Sequence, residues 1–442
     1  MSKKTNSKAR FMVTIVFAIV LCLSMAMPAF ASTELSEATG TTSADQAKAA
    51  ITKILTMPEG TTTPAKTFTY EFTKKGILGD ANPNDTTKMP GIKDVKITYA
   101  AADTATLSGG VKKVIKESID FIDNDNLVGA WDHAGTHYYR LTEVDEEASN
   151  DAKNIFTYSI AEYDIYVYVD NGTDDNLYVK YVEAKIAVKD FSHTTQPIGQ
   201  KVDPTPGPNE KYPYSQVIFT NYFLKKNGGD EPTIANTVLG ISKNVDGQGA
   251  DQTRLFEFSV TIKKPATIDD VNTTYKGYIM EGSTVIPPNT TIVPSPGVYS
   301  GNYIQFKNGV EVKVMLKHGQ KLAFMELPVG ASFFVKEKGT PGYTARYTAV
   351  SQSNLPTGTP LKGVVYNGSA GADFGFTADE LIGDIETTHQ MDGAEFINDT
   401  KAVAPTGISM ETLPFIVLIV VVAAAIAGFA VIRYRKNANY NA

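Results

Sequence analysis

The chain has 442 residues, 42% of them hydrophobic and 20% charged, so it can bury more than one core, and two or three domains are expected. A formal net charge of -7 argues against nucleic acid or an anionic membrane surface as the main partner, because both attract Lys- and Arg-rich faces. The single cysteine, Cys22, lies in the opening segment, which leaves the rest of the chain without a disulfide.

Lys3, Lys4, Lys8 and Arg10, the apolar run from Phe11 to Ala26 and the small-x-small triplet Ala29-Phe30-Ala31 make residues 1–31 a secretory signal peptide. Leu21 precedes Cys22 and apolar residues follow it, which is not the setting of a lipoprotein cysteine. An exported chain without disulfides must be held by its cores, by a metal or by another covalent device. Residues 32–48 are small and polar and are expected to form a flexible leader.

From residue 49 to residue 400 the pattern is β, with alternating apolar side chains between turns rich in Gly, Asn, Asp and Pro. Phe68, Tyr70 and Phe72 share one face, as do Phe256, Phe258, Val260 and Ile262. The Pro- and Gly-rich stretch 197–213 reads as a loop inside a first domain, 49–224, and the break at 225–234 as a linker to a second, 235–400. Ile304 to Leu316 reads as a hairpin closed at Asn308-Gly309, a pair that tolerates the positive φ of a tight turn. The expected fold class is all-β, with two tandem Ig-like β-sandwiches between the signal peptide and a C-terminal transmembrane helix.

The same alternation places polar groups where apolar ones belong. Lys53 is in phase with Ile51 and Leu55, Glu143 with Tyr139 and Leu141, and Asn221 with Phe219 and Phe223. In the second half Lys243 is in phase with Leu239, Ile241 and Val245, Glu337 with Phe333 and Val335, and Asn398 with Phe396. One such residue at a strand end can turn to solvent. Six, in the order Lys, Glu, Asn in each half, point to a shared use, because a buried charge is costly unless it is neutralised or paired.

ITKIL, GTHYYRLTEV and VIFTNYF in residues 51 to 223 resemble the streptococcal-type pilin isopeptide-linkage domain. LGISKNV, LPVGASFFVKE and AEFINDT in residues 239 to 400 resemble a collagen-adhesin B-type Ig-like domain. The resemblance implies that Lys53 forms an amide with Asn221, and Lys243 with Asn398, each releasing ammonia, with Glu143 and Glu337 as the catalytic carboxyls. Burial disfavours charge, so it lowers the lysine pKa to give a free amine and raises that of the glutamate, which can then polarise the Asn carbonyl and relay protons. Each reaction is a single self-modification, so the protein is not expected to be an enzyme.

Other chemistry is poorly supported by the residues. His133 and His137 lie in a turn leading into a strand, and Asp123-Asn124-Asp125-Asn126 lacks the Gly and Glu of a calcium loop, so neither a metal nor a cofactor is expected. The apolar stretch 414–432, followed by Arg433, Arg435 and Lys436, reads as a membrane stop with its tail inside. Val403-Ala404-Pro405-Thr406-Gly407 stands before it, and within residues 401–442 this order resembles the LPxTG sorting signal of Gram-positive surface proteins. The resemblance implies cleavage between Thr406 and Gly407 by a sortase.

The partners implied are the sortase, then other pilin subunits or peptidoglycan, with a host surface ligand possible. In pilins resembling the first half, the accepting lysine lies shortly before the cross-linking asparagine, which makes Lys211 the first candidate and Lys201 the second. The expected function is a sortase-assembled pilin subunit anchored at the cell wall or membrane. The alternative is a monomeric wall-anchored adhesin, and a surface hydrolase is the weakest third.

Overall fold

Alternating side chains need sheets with one face covered, and the computed structural model of the chain supplies two facing pairs of them. It describes residues 34–193, 195–229, 231–268, 273–288, 298–350, 365–377, 379–384, 392–400 and 413–438. The signal peptide and the sorting pentapeptide Val403-Ala404-Pro405-Thr406-Gly407 lie outside the described residues.

In the first half, one sheet runs in the order Ser36–Glu37, Leu177–Val188, Glu162–Asn171, Gly135–Glu143, Lys66–Leu78 and Val95–Tyr99, with Lys201–Val202 added on Leu177–Val188. The facing sheet runs Asn154–Thr157, Ile218–Gly228, Thr52–Pro58, Val111–Glu117 and Thr106–Ser108. Phe68, Tyr70, Tyr139, Tyr163 and Phe219 fill the space between them. The second half repeats the design. Leu239–Asp246 lies centrally in a larger sheet between Gln320–Phe324 and Asp392–Thr400, and Phe256–Lys263 pairs with Ser332–Glu337 and Val312–Leu316 in the smaller one. The chain is all-β, as expected, with a separate apolar cluster in each half.

Two pairings decide the chemistry. In each half the first long strand lies parallel to the last: Thr52–Pro58 beside Ile218–Gly228, and Leu239–Asp246 beside Asp392–Thr400. Parallel neighbours cannot be joined by a tight turn, so the whole domain forms the connection between them.

Three expectations are corrected. The leader is not loose over its described part: Ser36 and Glu37 pair with Val182 and Tyr181, and the Ala47 N–H donates to Val179 O at 2.8 Å. Ala47 is buried, because a small side chain can tuck under a sheet edge that polar composition alone does not reveal.

Residues 225–228 are no linker. The strand Ile218–Gly228 continues through them and pairs with Glu326–Pro328 of the second half. Lys225 Nζ lies 2.9 Å from Asp384 Oδ1, and Asn227 Nδ2 donates to Gly383 O at 2.7 Å. Gly228 is required there. Its φ is 75°, and a Cβ on it would sit 1.8 Å from Met325 O.

Ile304 to Leu316 is not a hairpin, because Tyr303–Lys307 belongs to the larger sheet and Val312–Leu316 to the smaller. Gly309 does adopt a positive φ of 69°, but Asn308 N–H and Gly309 N–H donate to Thr273 O and Ile262 O, so the turn crosses between the sheets. Local sequence sets the turn residue, whereas the competing partners Phe256–Lys263 and Thr274–Glu281 set which sheet each arm joins.

The apolar C-terminal stretch lies within an α-helix, Leu413–Ala438. Leu418, Ile419, Val421, Ile426, Phe429 and Ile432 are all exposed on it. A helix apolar on all sides has no face to give to water. Among the described residues no helix is long and apolar enough to cross a membrane; on this one the described side chains are Leu418, Ile419 and residues 421–433, short of a full span.

Candidate functional site

Parallel pairing sets Lys53 opposite Phe219, so Asn221, two residues further on, points from the same face of the same sheet. In the second half Lys243 is opposite Phe396 and Asn398 is again two residues further on. The register is therefore identical in two domains with different sheet sizes. The glutamates come from the facing sheets, Glu143 at the end of Gly135–Glu143 and Glu337 at the end of Ser332–Glu337. Sandwich closure brings all three groups together in each core.

At the first centre Lys53 Nζ donates to Glu143 Oε1 and Oε2 at 2.6 and 2.7 Å, and Asn221 Nδ2 donates to Glu143 Oε1 at 2.7 Å. Lys53 and Asn221 are 0% exposed, which leaves water no part in solvating either. The Lys53 ammonium position lies 4.5 Å from the centre of the Phe68 ring. Burial lowers Lys53 to about 8 against the opposing pull of Glu143, and burial raises Glu143 against the opposing pull of Lys53. Both shifts favour the neutral pair, a free amine beside a protonated carboxyl.

The second centre has the same parts, with a longer Lys–Glu contact and a shorter Asn–Glu one. Lys243 Nζ is 3.3 Å from Glu337 Oε2, Asn398 Nδ2 donates to Glu337 Oε1 at 2.5 Å, and Lys243 Nζ sits 4.4 Å from the centre of the Phe256 ring. Burial again lowers the lysine, to about 8, and raises the glutamate.

The centres differ at the amide oxygen. The Ser159 backbone N–H donates to Asn221 Oδ1 at 2.8 Å. An N–H can only donate, so the atom facing it is the oxygen, and Glu143 faces the amide nitrogen rather than the carbonyl it was expected to polarise. Asn398 Oδ1 is buried and has no hydrogen-bond partner among the described residues. Around Ser159, the Ser159 hydroxyl donates to Asp190 Oδ2, Asp190 Oδ1 is 3.0 Å from His193 Nδ1, and His193 Nε2 is 2.6 Å from the Tyr163 hydroxyl. Sequence reading missed this group, since Ser159, Asp190 and His193 lie in connections with no periodicity to expose them.

The other candidates sit elsewhere. Lys211 Nζ pairs with Glu34 Oε1 at 2.9 Å, and Lys201 pairs with Glu183; both lysines keep about a third to a half of their side chain in solvent. Burial lowers the Lys211 pKa but the Glu34 contact outweighs it, so the net shift is upward. His137 is buried beside Trp131, with ring centres 4.8 Å apart. Among the described residues there is no group of three or more His, Cys, Asp or Glu that could hold a metal.

Residues 237–399 match the family model of a domain of unknown function, DUF7601. No curated protein matches the chain. Among solved structures the chain is similar to the major pilin from Streptococcus pyogenes, with 19% identity over 82% of this chain and 99% of that one and a TM-score of 0.29. It is similar to a second major pilin of that organism, with 18% identity, coverage of 84% and 100% and a TM-score of 0.29. A pilus-presented adhesin, Spy0125, is similar at 18% identity over 54% of this chain and 35% of that one, with a TM-score of 0.20.

Proposed function

We propose that the protein is an exported structural protein of the cell surface whose two β-sandwiches each lock themselves with a Lys–Asn isopeptide bond. One observation carries the reading: a buried Lys, Glu and Asn meet twice, in the same strand register, with burial favouring the neutral amine each time. A charged pair kept only for stability is replaceable by apolar groups at little cost. Asparagine on the same glutamate as the lysine adds an acyl carbon to the amine and the proton donor. Residues 32–406 should then weigh less than their sequence by two ammonia units, with branched tryptic peptides joining Lys53 to Asn221 and Lys243 to Asn398. A mass equal to the sequence value removes the mechanism.

Within that reading the chain acts as a sortase-assembled pilin subunit, with Thr406 as acyl donor and Lys211 or Lys201 as acceptor. Each lysine is in an ion pair at the surface, a contact worth at most about 1 kcal/mol, so either can be released to an incoming subunit. Coexpression with the native sortase should give a high-molecular-weight ladder that disappears in the double variant Lys211→Ala, Lys201→Ala. A ladder that persists refutes those acceptors, and single chains attached to the wall in the wild type assign the protein as a monomeric adhesin.

A further inference from the structure

The amide oxygen of Asn221 is where negative charge develops when an amine adds to that carbon, and in the first domain it already has a donor. Ser159 N lies 2.8 Å from Asn221 Oδ1, so the donor already holds the resting oxygen on which the charge forms. The donor belongs to a turn held from several sides. The Ser159 hydroxyl accepts from Ala161 N–H at 3.2 Å while donating to Asp190, whose side chain is wholly buried. Asp190 holds His193, and His193 meets the Tyr163 hydroxyl. Tyr163 in turn exchanges hydrogen bonds with the backbone of Ile218, at 2.7 Å to its oxygen and 2.9 Å from its nitrogen. Ile218 begins the strand that carries Asn221 three residues later. The chain of contacts therefore ties the donor and the acceptor carbonyl to one frame. Satisfying buried polar groups would account for each bond singly; it does not account for a rigid donor aimed at the one oxygen that must become anionic. In the second domain the corresponding oxygen, Asn398 Oδ1, has no partner among the described residues.

We propose that the Ser159 backbone N–H is the oxyanion donor of the first centre, and that Ser159 Oγ, Asp190, His193 and Tyr163 are positioning groups that hold it there, so that the first cross-link forms faster than the second. The inference rests on the isopeptide reading above. The neutral Lys53 Nζ attacks Asn221 Cγ, and the carbonyl electron pair moves onto Oδ1 under the Ser159 N–H. Collapse re-forms the carbonyl and breaks the bond to Nδ2. The protonated Glu143 carboxyl gives its proton to Nδ2, which leaves as ammonia, and takes back the proton that Nζ loses. Lysine amine and asparagine amide thus become one secondary amide and one ammonia, with no outside reactant.

The test follows both bonds in one molecule. The full-length chain, recovered from inclusion bodies in urea before it has folded or cross-linked and then refolded by dilution with detergent present, is sampled over time, and the two branched tryptic peptides are quantified. In the wild type the first bond should form about tenfold faster than the second or more. Replacing residue 159 by the α-hydroxy analogue of serine removes the N–H while keeping the side chain and should slow the first bond about 100-fold, leaving the second unchanged. Ser159→Ala and Asp190→Asn should slow it about tenfold, and Ser159→Thr, which keeps the hydroxyl, should restore it; a merely structural role would not give that rescue at unchanged folding, read from the near-ultraviolet signal of Trp131. An unchanged ratio of the two rates in the hydroxy-acid chain overturns the inference. If that chain does not fold, an unchanged ratio in Ser159→Ala and Asp190→Asn does so. Absence of both bonds from the wild type overturns the isopeptide reading itself, and this inference with it.

Discussion

Glu143→Gln should leave Lys53 and Asn221 unlinked, restore one ammonia to the mass, and lower the Tm of the first domain by about 10–20 °C. Glutamine keeps the shape and most hydrogen bonds of the site, so the change isolates proton transfer. The bond closes a loop of more than 150 residues, between positions 53 and 221, and by analogy with a disulfide the chain-entropy argument assigns it about 5 kcal/mol. For a domain of this size each kcal/mol moves the Tm by about 2–4 °C. Glu337→Gln should do the same for Lys243 and Asn398 and leave the first bond intact. Glu143→Ala should cost more, since it also leaves a buried amine without its partner, and breaking a buried pair costs about 3–5 kcal/mol. Intact mass and calorimetry on the same samples check the outcome. A Glu143→Gln protein that still lacks two ammonia units shows that the carboxyl has no part in the reaction.

The rate of ammonia loss should pass through a maximum with pH and decline on the alkaline side above about pH 8. Burial lowers both lysines to about 8 and raises both carboxyls, so over a window below 8 each pair holds one proton between them. Only that singly protonated pair contains the reactive arrangement, a free amine with a carboxyl able to deliver a proton. As pH falls through the raised carboxyl pKa, a second proton binds and the amine is locked as ammonium. As pH rises through about 8 the shared proton leaves, and the carboxylate can no longer assist departure of the amide nitrogen, so the rate should drop about tenfold per pH unit. Refolding the never-folded, uncross-linked chain from urea across a pH series, with the two branched peptides quantified, measures both centres at once. A rate that climbs steadily to pH 10.5, the ordinary lysine value, would mean that the amine alone limits the reaction and the carboxyl proton is irrelevant.

Alternation along the chain was enough to show the all-β class and the inward phase of Lys53, Glu143, Asn221, Lys243, Glu337 and Asn398, all of which the structure buries. Phase is a local property: side chains two apart share a face whatever the rest of the chain does. Which strands become neighbours is not local. The parallel register that sets Asn221 and Asn398 two residues beyond the lysine's partner, the crossing of Asn308-Gly309 between sheets, and the run of Ile218–Gly228 into the second half all depend on contacts far apart in sequence. The Ser159 N–H is the extreme case. A backbone donor has no residue type to betray it, and its aim at Asn221 Oδ1 exists only once Asp190, His193 and Tyr163 have met across two connections and a strand.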